Sequence, residues 1–241
     1  MTTSEELLAV YAQLDVMHAW RGWHWWPDVD PFEAAVGAIL VQNTQWTNVE
    51  IALARLRAAD ALTPGAMAAL GSEELEALVR SSGQYRQKAK KLLAFLDLIQ
   101  AHGSFEALLA LPAPELRALL LATWGIGEET ADAIVVYCAK KPAFVIDAYT
   151  QRLFGRLRVG PVESARYGDW QRFFVGALPE NRDLWARYHS LIVMHCKHLC
   201  LKRAPRCGEC GLSGRCSVGT GHEGGSSAGV AIGAWRATAD R

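Results

Sequence analysis

The stretch 121-LATWGIGEETADAIVVYCAKKPAFVIDAY-149 combines a glycine turn, the start of a helix and a single carboxylate. Gly125 and Gly127 lie between two helical patterns, 113–122 and 128–140. Glycine adopts backbone conformations that other residues avoid, and a helix N-terminus presents N–H groups at the positive end of its dipole. A phosphate group can therefore approach this turn closely, although a tight connection between two helices also explains the glycines.

Asp147 follows a short apolar run, 143–146, and begins a further helical pattern over 147–158. Aspartate is a favoured N-cap residue, so a structural role alone explains its position. The N–H groups that a capping carboxylate accepts also hold it rigid and favour its ionised form. A helix cap and a functional anion are therefore compatible roles for Asp147.

Helical periodicity extends over nearly the whole chain, and no run alternates with period two for long enough to predict a strand. We therefore predict an all-α fold. The predicted helices cover 4–18, 32–43, a segment ending near 59, a segment from 72 to the Ser82-Gly83 pair, 86–102, 104–111, 113–122, 128–140, 147–158, 167–177 and 181–199. The tail, 218–241, is rich in Gly, Ser and Ala, which predicts a flexible segment.

The composition is that of a globular protein, with 51% hydrophobic residues among 241. No apolar run is long enough to span a membrane, and the N-terminus lacks the pattern of a secretory signal peptide. We therefore expect a cytoplasmic protein. The formal net charge is zero, so any contact with nucleic acid must depend on local basic patches.

Four cysteines follow the last predicted helix with the spacing C-x6-C-x2-C-x5-C: Cys200, Cys207, Cys210 and Cys216. Disulfides are not expected in a reducing compartment, so this group indicates a metal site. Four thiolates in one short loop can bind zinc or an iron–sulfur cluster, and the spacing alone does not distinguish them. We interpret the remaining two cysteines, Cys138 and Cys196, as small buried apolar residues.

Residues 124–131 (WGIGEETA) and 145–147 (VID) resemble the hairpin and the catalytic aspartate of helix–hairpin–helix DNA glycosylases of the endonuclease III superfamily. Residues 41–44 (VQNT) and 82–89 (SGQYRQKA) match two further segments of that family. The resemblance covers about residues 25 to 216. It implies that hairpin N–H groups hold a DNA phosphate, that Asp147 stabilises an oxocarbenium-like transition state, that Gln42 fills the gap left by a flipped base, and that Gln84 wedges into the duplex. The DNA-contacting residues that it implies are Gln42, Gln84, Lys88, Gly125, Gly127, Glu129 and Thr130.

The same resemblance implies a domain organisation and a cofactor. A six-helix barrel domain over 33–142 carries the hairpin, and residues 1–32 and 143–217 form a second domain that holds a [4Fe–4S] cluster on the four cysteines, with zinc as the alternative. The expected partner is double-stranded DNA with a damaged base, and we expect a monomer.

Glu129 occupies the position at which lyase-active members of the family carry a lysine. That lysine attacks the sugar and forms a Schiff base, which a carboxylate cannot do. The sequence therefore predicts a glycosylase without lyase activity, with water as the nucleophile. An acid in the first turn of a helix is also favourable for the helix dipole, and the two interpretations are compatible.

An aromatic segment bears on the substrate. Trp25 and Trp26, together with Trp46, resemble the base pocket of the 3-methyladenine DNA glycosylase branch. Alkylated purines are cationic, and tryptophan attracts a cation through its ring face. We therefore predict excision of alkylated purines such as 3-methyladenine. These tryptophans could instead fill the junction between domains, and the alternative functions are a glycosylase for oxidised pyrimidines with an absent or atypical lyase step and a non-catalytic binder of damaged DNA.

Overall fold

The computed structural model describes residues 2–18, 29–162 and 164–221. In these residues all regular structure is helical, which confirms the all-α prediction. The α-helices are α1 (Thr3–Met17), α2 (Pro31–Leu40), α3 (Trp46–Ala58), α4 (Pro64–Ala69), α5 (Ser72–Leu78), α6 (Tyr85–Ala101), α7 (Phe105–Ala110), α8 (Ala113–Ala122), α9 (Glu128–Ala133), α10 (Ala148–Leu157), α11 (Tyr167–Ala177), α12 (Arg182–His198) and α13 (Ser217–Thr220).

The described residues also form short turns of other helix types: 3₁₀ turns at Arg80–Ser82, Cys207–Glu209 and Ser213–Arg215, and a π-helical turn at Ile134–Cys138. No helix of the described residues is long and apolar enough to cross a membrane.

Two predicted helices differ from the structure at their C-terminal ends. The helix predicted over 32–43 ends at Leu40, and Asn43 then adopts a positive φ of 55° in the turn that follows. The helix predicted over 128–140 changes at Ile134 from α-helical to π-helical hydrogen bonding. The Ala139 N–H bonds the Ile134 carbonyl at 3.0 Å, which spans five residues and widens this last turn.

Helix α4 is the one α-helix before α13 that the sequence prediction missed. Thr63 caps it, because the Thr63 hydroxyl accepts the Ala66 N–H at 3.2 Å, and Pro64 is its first residue. A threonine cap followed by proline is a recognisable helix start, so the signal was present in the sequence.

The described helices pack into two hydrophobic cores. The first contains side chains from α2 to α9 and the π-helical turn, and the second contains side chains from α1, α10, α11, α12 and the cysteine segment. Residues 143–146 run between them: Ala143 and Val145 belong to the first core, and Phe144 and Ile146 belong to the second. The predicted domain limits remain a prediction, which these two cores support.

A buried carboxylate joins the two cores beside the connecting segment. Asp132 of α9 is fully buried, and its oxygens accept hydrogen bonds from Arg117 Nε, the Tyr167 hydroxyl and Gln171 Nε2, each at 2.7 Å. The Tyr167 oxygen in turn accepts the Ile146 N–H at 3.2 Å. A buried charge is tolerated only with such partners, and this network fixes the backbone immediately before Asp147 relative to α9.

Candidate active site

Asp147 is the N-cap of α10. Its Oδ1 atom accepts the Thr150 N–H at 2.7 Å and the Thr150 hydroxyl at 2.8 Å, and its side chain is only 10% exposed. Burial raises the pKa of Asp147, but the hydrogen bond and charge of His189 and the two bonds from Thr150 outweigh burial and hold the pKa below its usual value. The structure thus contains a nearly enclosed carboxylate that stays ionised at neutral pH.

His189 of α12 faces the other oxygen of this carboxylate. Its Nε2 atom lies 3.4 Å from Asp147 Oδ2, and its Nδ1 atom lies 2.6 Å from the Tyr137 hydroxyl. Both His189 and Tyr137 are buried, with 5% exposure each. Neither residue is marked in the sequence, because a single histidine or tyrosine in an apolar helix carries no signal of what it contacts.

Glu129 lies in the first turn of α9, near enough to Asp147 and His189 to interact electrostatically with both. Burial and the negative charge of Asp147 raise the pKa of Glu129 to about 7, while His189 opposes the shift. Its side chain nevertheless keeps contact with solvent. The site therefore holds two carboxyl groups with opposite pKa shifts, which is an arrangement suited to acid–base chemistry.

Gln42 is tied to the glycine turn by three hydrogen bonds. Its Nε2 atom donates to the Gly125 carbonyl at 3.2 Å and to the Thr130 hydroxyl at 3.0 Å, and its Oε1 atom accepts from Lys91 Nζ. Three of the residues predicted to contact DNA, Gln42, Gly125 and Thr130, are therefore neighbours. Lys91 completes this group, which we call the hairpin group.

Gly125 has a positive φ of 83°, in the region that favours glycine. A Cβ atom at this position would lie 2.4 Å from Cγ of Lys91. Two independent constraints therefore require glycine here. Gly127 differs, because its φ is −96° and a Cβ would meet nothing within 4 Å. Gly127 is the N-cap of α9, and no side chain of the described residues caps this N-terminus.

Gln84 protrudes from the turn before α6. It is exposed and adopts a left-handed conformation, with φ 45° and ψ 35°, directly after Gly83 at φ 68°. A left-handed non-glycine residue costs about 1–2 kcal/mol, so this tip is held in place by its surroundings.

The structure places Lys88 differently from the predicted DNA contact. Lys88 is 2% exposed, and its Nζ atom donates to the Ser82 carbonyl, so its ammonium group does not face a phosphate. Burial, followed by the charge of Lys91, lowers the pKa of Lys88 to about 8. Lys88 instead supports the turn that presents Gln84, because long polar side chains are buried only when their end group has a partner.

Trp46 is the first residue of α3, and its ring packs against α2. A Cβ at Gly37 would lie 3.2 Å from Cη2 of Trp46, so the small residue admits the ring. Trp46 is partly buried on the first core. The other two predicted pocket residues, Trp25 and Trp26, lie outside the described residues.

The four predicted ligand cysteines, Cys200, Cys207, Cys210 and Cys216, line one recess with an empty volume of about 340 Å³. Arg156 Nη1 donates to Cys200 Sγ at 3.1 Å. A hydrogen bond with Cys196, assisted by Arg156, lowers the pKa of Cys200 to about 6 despite burial. Thiolate is the form that binds metal, so the recess suits a metal centre. Cys138 and Cys196 are both buried, as predicted.

The arrangement of the cysteines bears on the kind of metal. A zinc ion requires its sulfur ligands about 2.3 Å from one point. Among the residues that the structure describes, no three His, Cys, Asp or Glu side chains are grouped to hold a single ion. A polynuclear cluster keeps its ligands further apart, around a larger volume. In the described residues the recess is therefore not preformed around a single metal ion.

The comparison with known families agrees with the geometry. Residues 36–166 match the HhH-GPD superfamily of base excision DNA repair proteins. The chain belongs to this superfamily. The predicted resemblance is thereby confirmed, and the hairpin group and Asp147 lie within the matched residues.

Two curated relatives show how far the likeness extends. The putative DNA repair glycosylase MJ1434 of Methanocaldococcus jannaschii is 38% identical over 196 residues, which are 80% of this chain and 88% of that protein. Endonuclease III of Thermotoga maritima is 30% identical over 195 residues, which are 78% of this chain and 84% of that protein.

Two solved structures are similar in fold. A non-covalent endonuclease III–DNA complex has a TM-score of 0.76 at 22% identity, covering 91% of this chain and 98% of that chain. The 3-methyladenine DNA glycosylase MagIII of H. pylori, bound to 1,N6-ethenoadenine, has a TM-score of 0.67 at 33% identity and covers 82% of this chain and 98% of its own.

Proposed function

We propose that this protein is a base excision repair DNA glycosylase that hydrolyses the N-glycosidic bond of an alkylated purine, such as 3-methyladenine, without cleaving the strand. The observation that carries the proposal is a pair of neighbouring carboxyl groups, Asp147 nearly enclosed and Glu129 in contact with solvent. The pKa of Asp147 is held below its usual value, and by the resemblance to the family Glu129 stands where lyase-active members carry a lysine.

Asp147 is suited to stabilise positive charge on the deoxyribose. As the base leaves, the sugar becomes cationic, and a carboxylate in a nearly enclosed site interacts with that charge more strongly than it would in water. Thr150 holds one of its oxygens, so the carboxylate needs little reorganisation during the reaction. Water then attacks the sugar, because Glu129 cannot form an imine.

The hairpin group supplies the contact with DNA. The N-terminus of α9 offers backbone N–H groups without a side-chain cap in the described chain, and such groups bind phosphate. Gln42 is fixed on Gly125 and Thr130, where it can occupy the space of an extruded base, and the strained, exposed Gln84 is placed to enter the duplex. This N-terminus is surrounded by the remaining proposed DNA contacts: Gly125, Gly127, Glu129 and Thr130.

Two observations support an alkylated base. The MagIII glycosylase, a 3-methyladenine enzyme with a bound ethenoadenine, is 33% identical to this chain. Trp46, predicted to contact the base, is a partly buried tryptophan, a residue type that attracts a cationic purine through its ring face. A second candidate is an oxidised pyrimidine, because endonuclease III of T. maritima is also 30% identical.

The cysteine recess is proposed to hold a [4Fe–4S] cluster on Cys200, Cys207, Cys210 and Cys216. The cluster would cross-link this segment and supply no step of base removal. Around it, the described chain exposes Lys202, Arg203 and Arg206, which can contact DNA phosphates.

A panel of substrates tests the proposal. The protein is incubated with methylated DNA and with duplexes that each carry one ethenoadenine, uracil, thymine glycol or 8-oxoguanine, and abasic sites are then cleaved with alkali. We expect release of 3-methyladenine and strand breaks only after alkali. Release of pyrimidine lesions alone would favour the second candidate, and borohydride trapping of a covalent complex would contradict hydrolysis without lyase activity. Tight binding of lesions without any release would indicate a non-catalytic binder.

A further inference from the structure

His189 lies in the middle of a line of side chains that ends at Asp147. The Tyr137 hydroxyl is 2.6 Å from His189 Nδ1, and His189 Nε2 is 3.4 Å from Asp147 Oδ2. The three residues come from three separate elements: the π-helical turn, α12 and the N-cap of α10. All three side chains are nearly enclosed, so the protein rather than solvent sets their orientation.

The hydrogen-bond pattern assigns the proton on His189. The Tyr137 hydroxyl has one proton and three acceptors within reach: His189 Nδ1 at 2.6 Å, the Ala186 carbonyl at 3.1 Å and Ser190 Oγ at 3.4 Å. The Ala186 carbonyl already accepts the Ser190 hydroxyl at 2.9 Å. The shortest contact therefore takes the Tyr137 proton. An imidazole that accepts at Nδ1 carries its own proton at Nε2, and a protonated imidazole carries one there as well. In both forms the Nε2 proton faces Asp147.

The carboxylate of Asp147 is thereby divided between two sets of partners. Oδ1 is occupied by the backbone and the hydroxyl of Thr150, and Oδ2 faces His189. Thr150 alone fixes one oxygen but leaves the other without a donor. A second donor on Oδ2 stops rotation of the carboxylate plane and leaves its remaining lone pairs for the sugar.

We propose that His189 is a positioning residue for base excision. Its Nε2–H donates to Oδ2 of Asp147, and the Tyr137 hydroxyl donates to its Nδ1 atom and so fixes the tautomer. This inference rests on the proposed glycosylase function. The contact of 3.4 Å is long for a hydrogen bond, and such contacts in free enzymes shorten when substrate binds. The π-helical turn that carries Tyr137 is consistent with a functional role, because such turns are frequent at functional sites.

The charged groups around this line must be included in any pH experiment. Glu129 of α9 and Tyr149 of α10 interact electrostatically with Asp147, and Arg182 of α12 acts on Tyr137. His189 contributes to lowering the pKa of Asp147, so its removal moves ionisation of Asp147 to higher pH. The titration of Glu129 is separated from this effect by measuring each His189 variant also in a Glu129→Gln background.

The experiment compares His189→Leu, His189→Gln and Tyr137→Phe with the wild-type protein. Single-turnover release of 3-methyladenine from methylated DNA, with enzyme in excess, is measured as a function of pH, and DNA affinity is measured separately. Glutamine places an amide N–H near the position of Nε2, so it tests rescue. His102→Leu, which removes a histidine hydrogen-bonded only to the Leu98 carbonyl in the described chain, is the matched control.

We expect His189→Leu to lower the single-turnover rate about 10- to 100-fold, the effect of losing a hydrogen bond to a charged group. DNA affinity should stay within about two-fold, since His189 contacts the carboxylate rather than the hairpin group. The acid limb of the pH profile should move to higher pH. His189→Gln should recover most of the rate, Tyr137→Phe should lose less than His189→Leu, and His102→Leu should match the wild type.

Two results would overturn the inference. The first is that His189→Leu leaves both the excision rate and the acid limb of the pH profile unchanged. The second is that His189→Leu and His189→Gln lose the same amount of excision rate and that this loss parallels a loss of thermal stability. Asp147→Asn separates this failure from failure of the proposed function. If Asp147→Asn abolishes excision while His189→Leu does not, only the role of His189 is wrong. If the wild-type protein releases no base from the whole substrate panel, the proposed function and the inference both fail.

Discussion

The hairpin group and the Asp147 site differ in the chemical group at their centre, which is an amide in the first and a carboxylate in the second. In the hairpin group the amide of Gln42 connects the Gly125 carbonyl with the side chains of Thr130 and Lys91. In the Asp147 site one carboxylate accepts the backbone N–H and the hydroxyl of Thr150 and faces His189. The first depends on local chain geometry, and the second depends on how α12 packs beside α10.

This difference implies a division of labour. The hairpin group keeps partial solvent contact and lies beside the N-terminus of α9, whose N–H groups can bind a phosphate without taking part in the chemistry. The Asp147 site is nearly enclosed, so its charge acts on whatever is inserted beside it. DNA affinity and excision rate should therefore respond to different substitutions, and the predictions below test that separation.

Asp147→Asn should have the largest effect. The substitution keeps the shape of the side chain but removes the charge proposed to stabilise the sugar cation, so we expect the single-turnover excision rate to fall about 100- to 1,000-fold. DNA affinity should change by less than about three-fold, because the hairpin group is intact. Asp97→Asn, on the exposed face of α6, is the control. A loss of affinity that matches the loss of rate would show that the two regions are not separable.

Gly125→Ala should show the opposite pattern. Alanine is strained at φ 83° and its Cβ overlaps Lys91, so the turn must shift and the Gln42 contact with the Gly125 carbonyl weakens. We expect DNA affinity to fall about 10-fold and the single-turnover rate at saturating enzyme to stay within about three-fold.

Gly103→Ala is the matched control for backbone strain. Gly103 has nearly the same φ, 82°, but a Cβ there meets nothing within 4 Å and the residue lies at the end of α6. The stability of Gly103→Ala should fall through backbone strain alone, by less than that of Gly125→Ala, with unchanged DNA affinity. Equal losses of affinity in both variants would remove the hairpin group from DNA binding.

Glu129→Gln should have the smallest effect on stability, and this effect should depend on pH. Glu129 has a pKa of about 7 in the folded protein and 4.5 as the reference value, so the folded state binds the extra proton between these pH values. The contribution of Glu129 to the free energy of unfolding is therefore fully present below about pH 4.5 and is lost as the pH rises towards 7. The melting temperature of Glu129→Gln relative to wild type should increase from pH 5 to pH 8, and Glu128→Gln controls for general charge effects. A constant difference would contradict the raised pKa.

The sequence marks the positions of Gly125 and Asp147, but not those of His189 and Tyr137, for a physical reason. A positive φ and a close approach demand glycine, and a helix cap demands a short polar residue, so Gly125 and Asp147 leave marks at their own positions. His189 and Tyr137 are ordinary residues locally, and only the packing of α12 against the π-helical turn brings them together. For Lys88 the sequence is misleading in the opposite way. Its charge predicts a contact with DNA at the surface, whereas the fold buries the side chain and its Nζ atom donates to the Ser82 carbonyl.

The helices follow the same rule. Most were predicted within a few residues because capping and apolar periodicity are local. The π-helical end of the segment after α9 was not predicted, because the change at Ile134 depends on packing between α2, α12 and the turn rather than on the residues themselves.

The central claim is that Asp147 is enclosed by protein and still ionised. It is tested most directly by following the side-chain carboxyl signals of ¹³C-labelled aspartates by NMR as pH is lowered, with the Asp147 signal assigned by its absence in Asp147→Asn. The account predicts that this signal keeps the chemical shift of a carboxylate down to pH 3.8 or below, the reference value for aspartate, as long as the protein stays folded. A signal that titrates above pH 3.8 in the folded wild-type protein would contradict it.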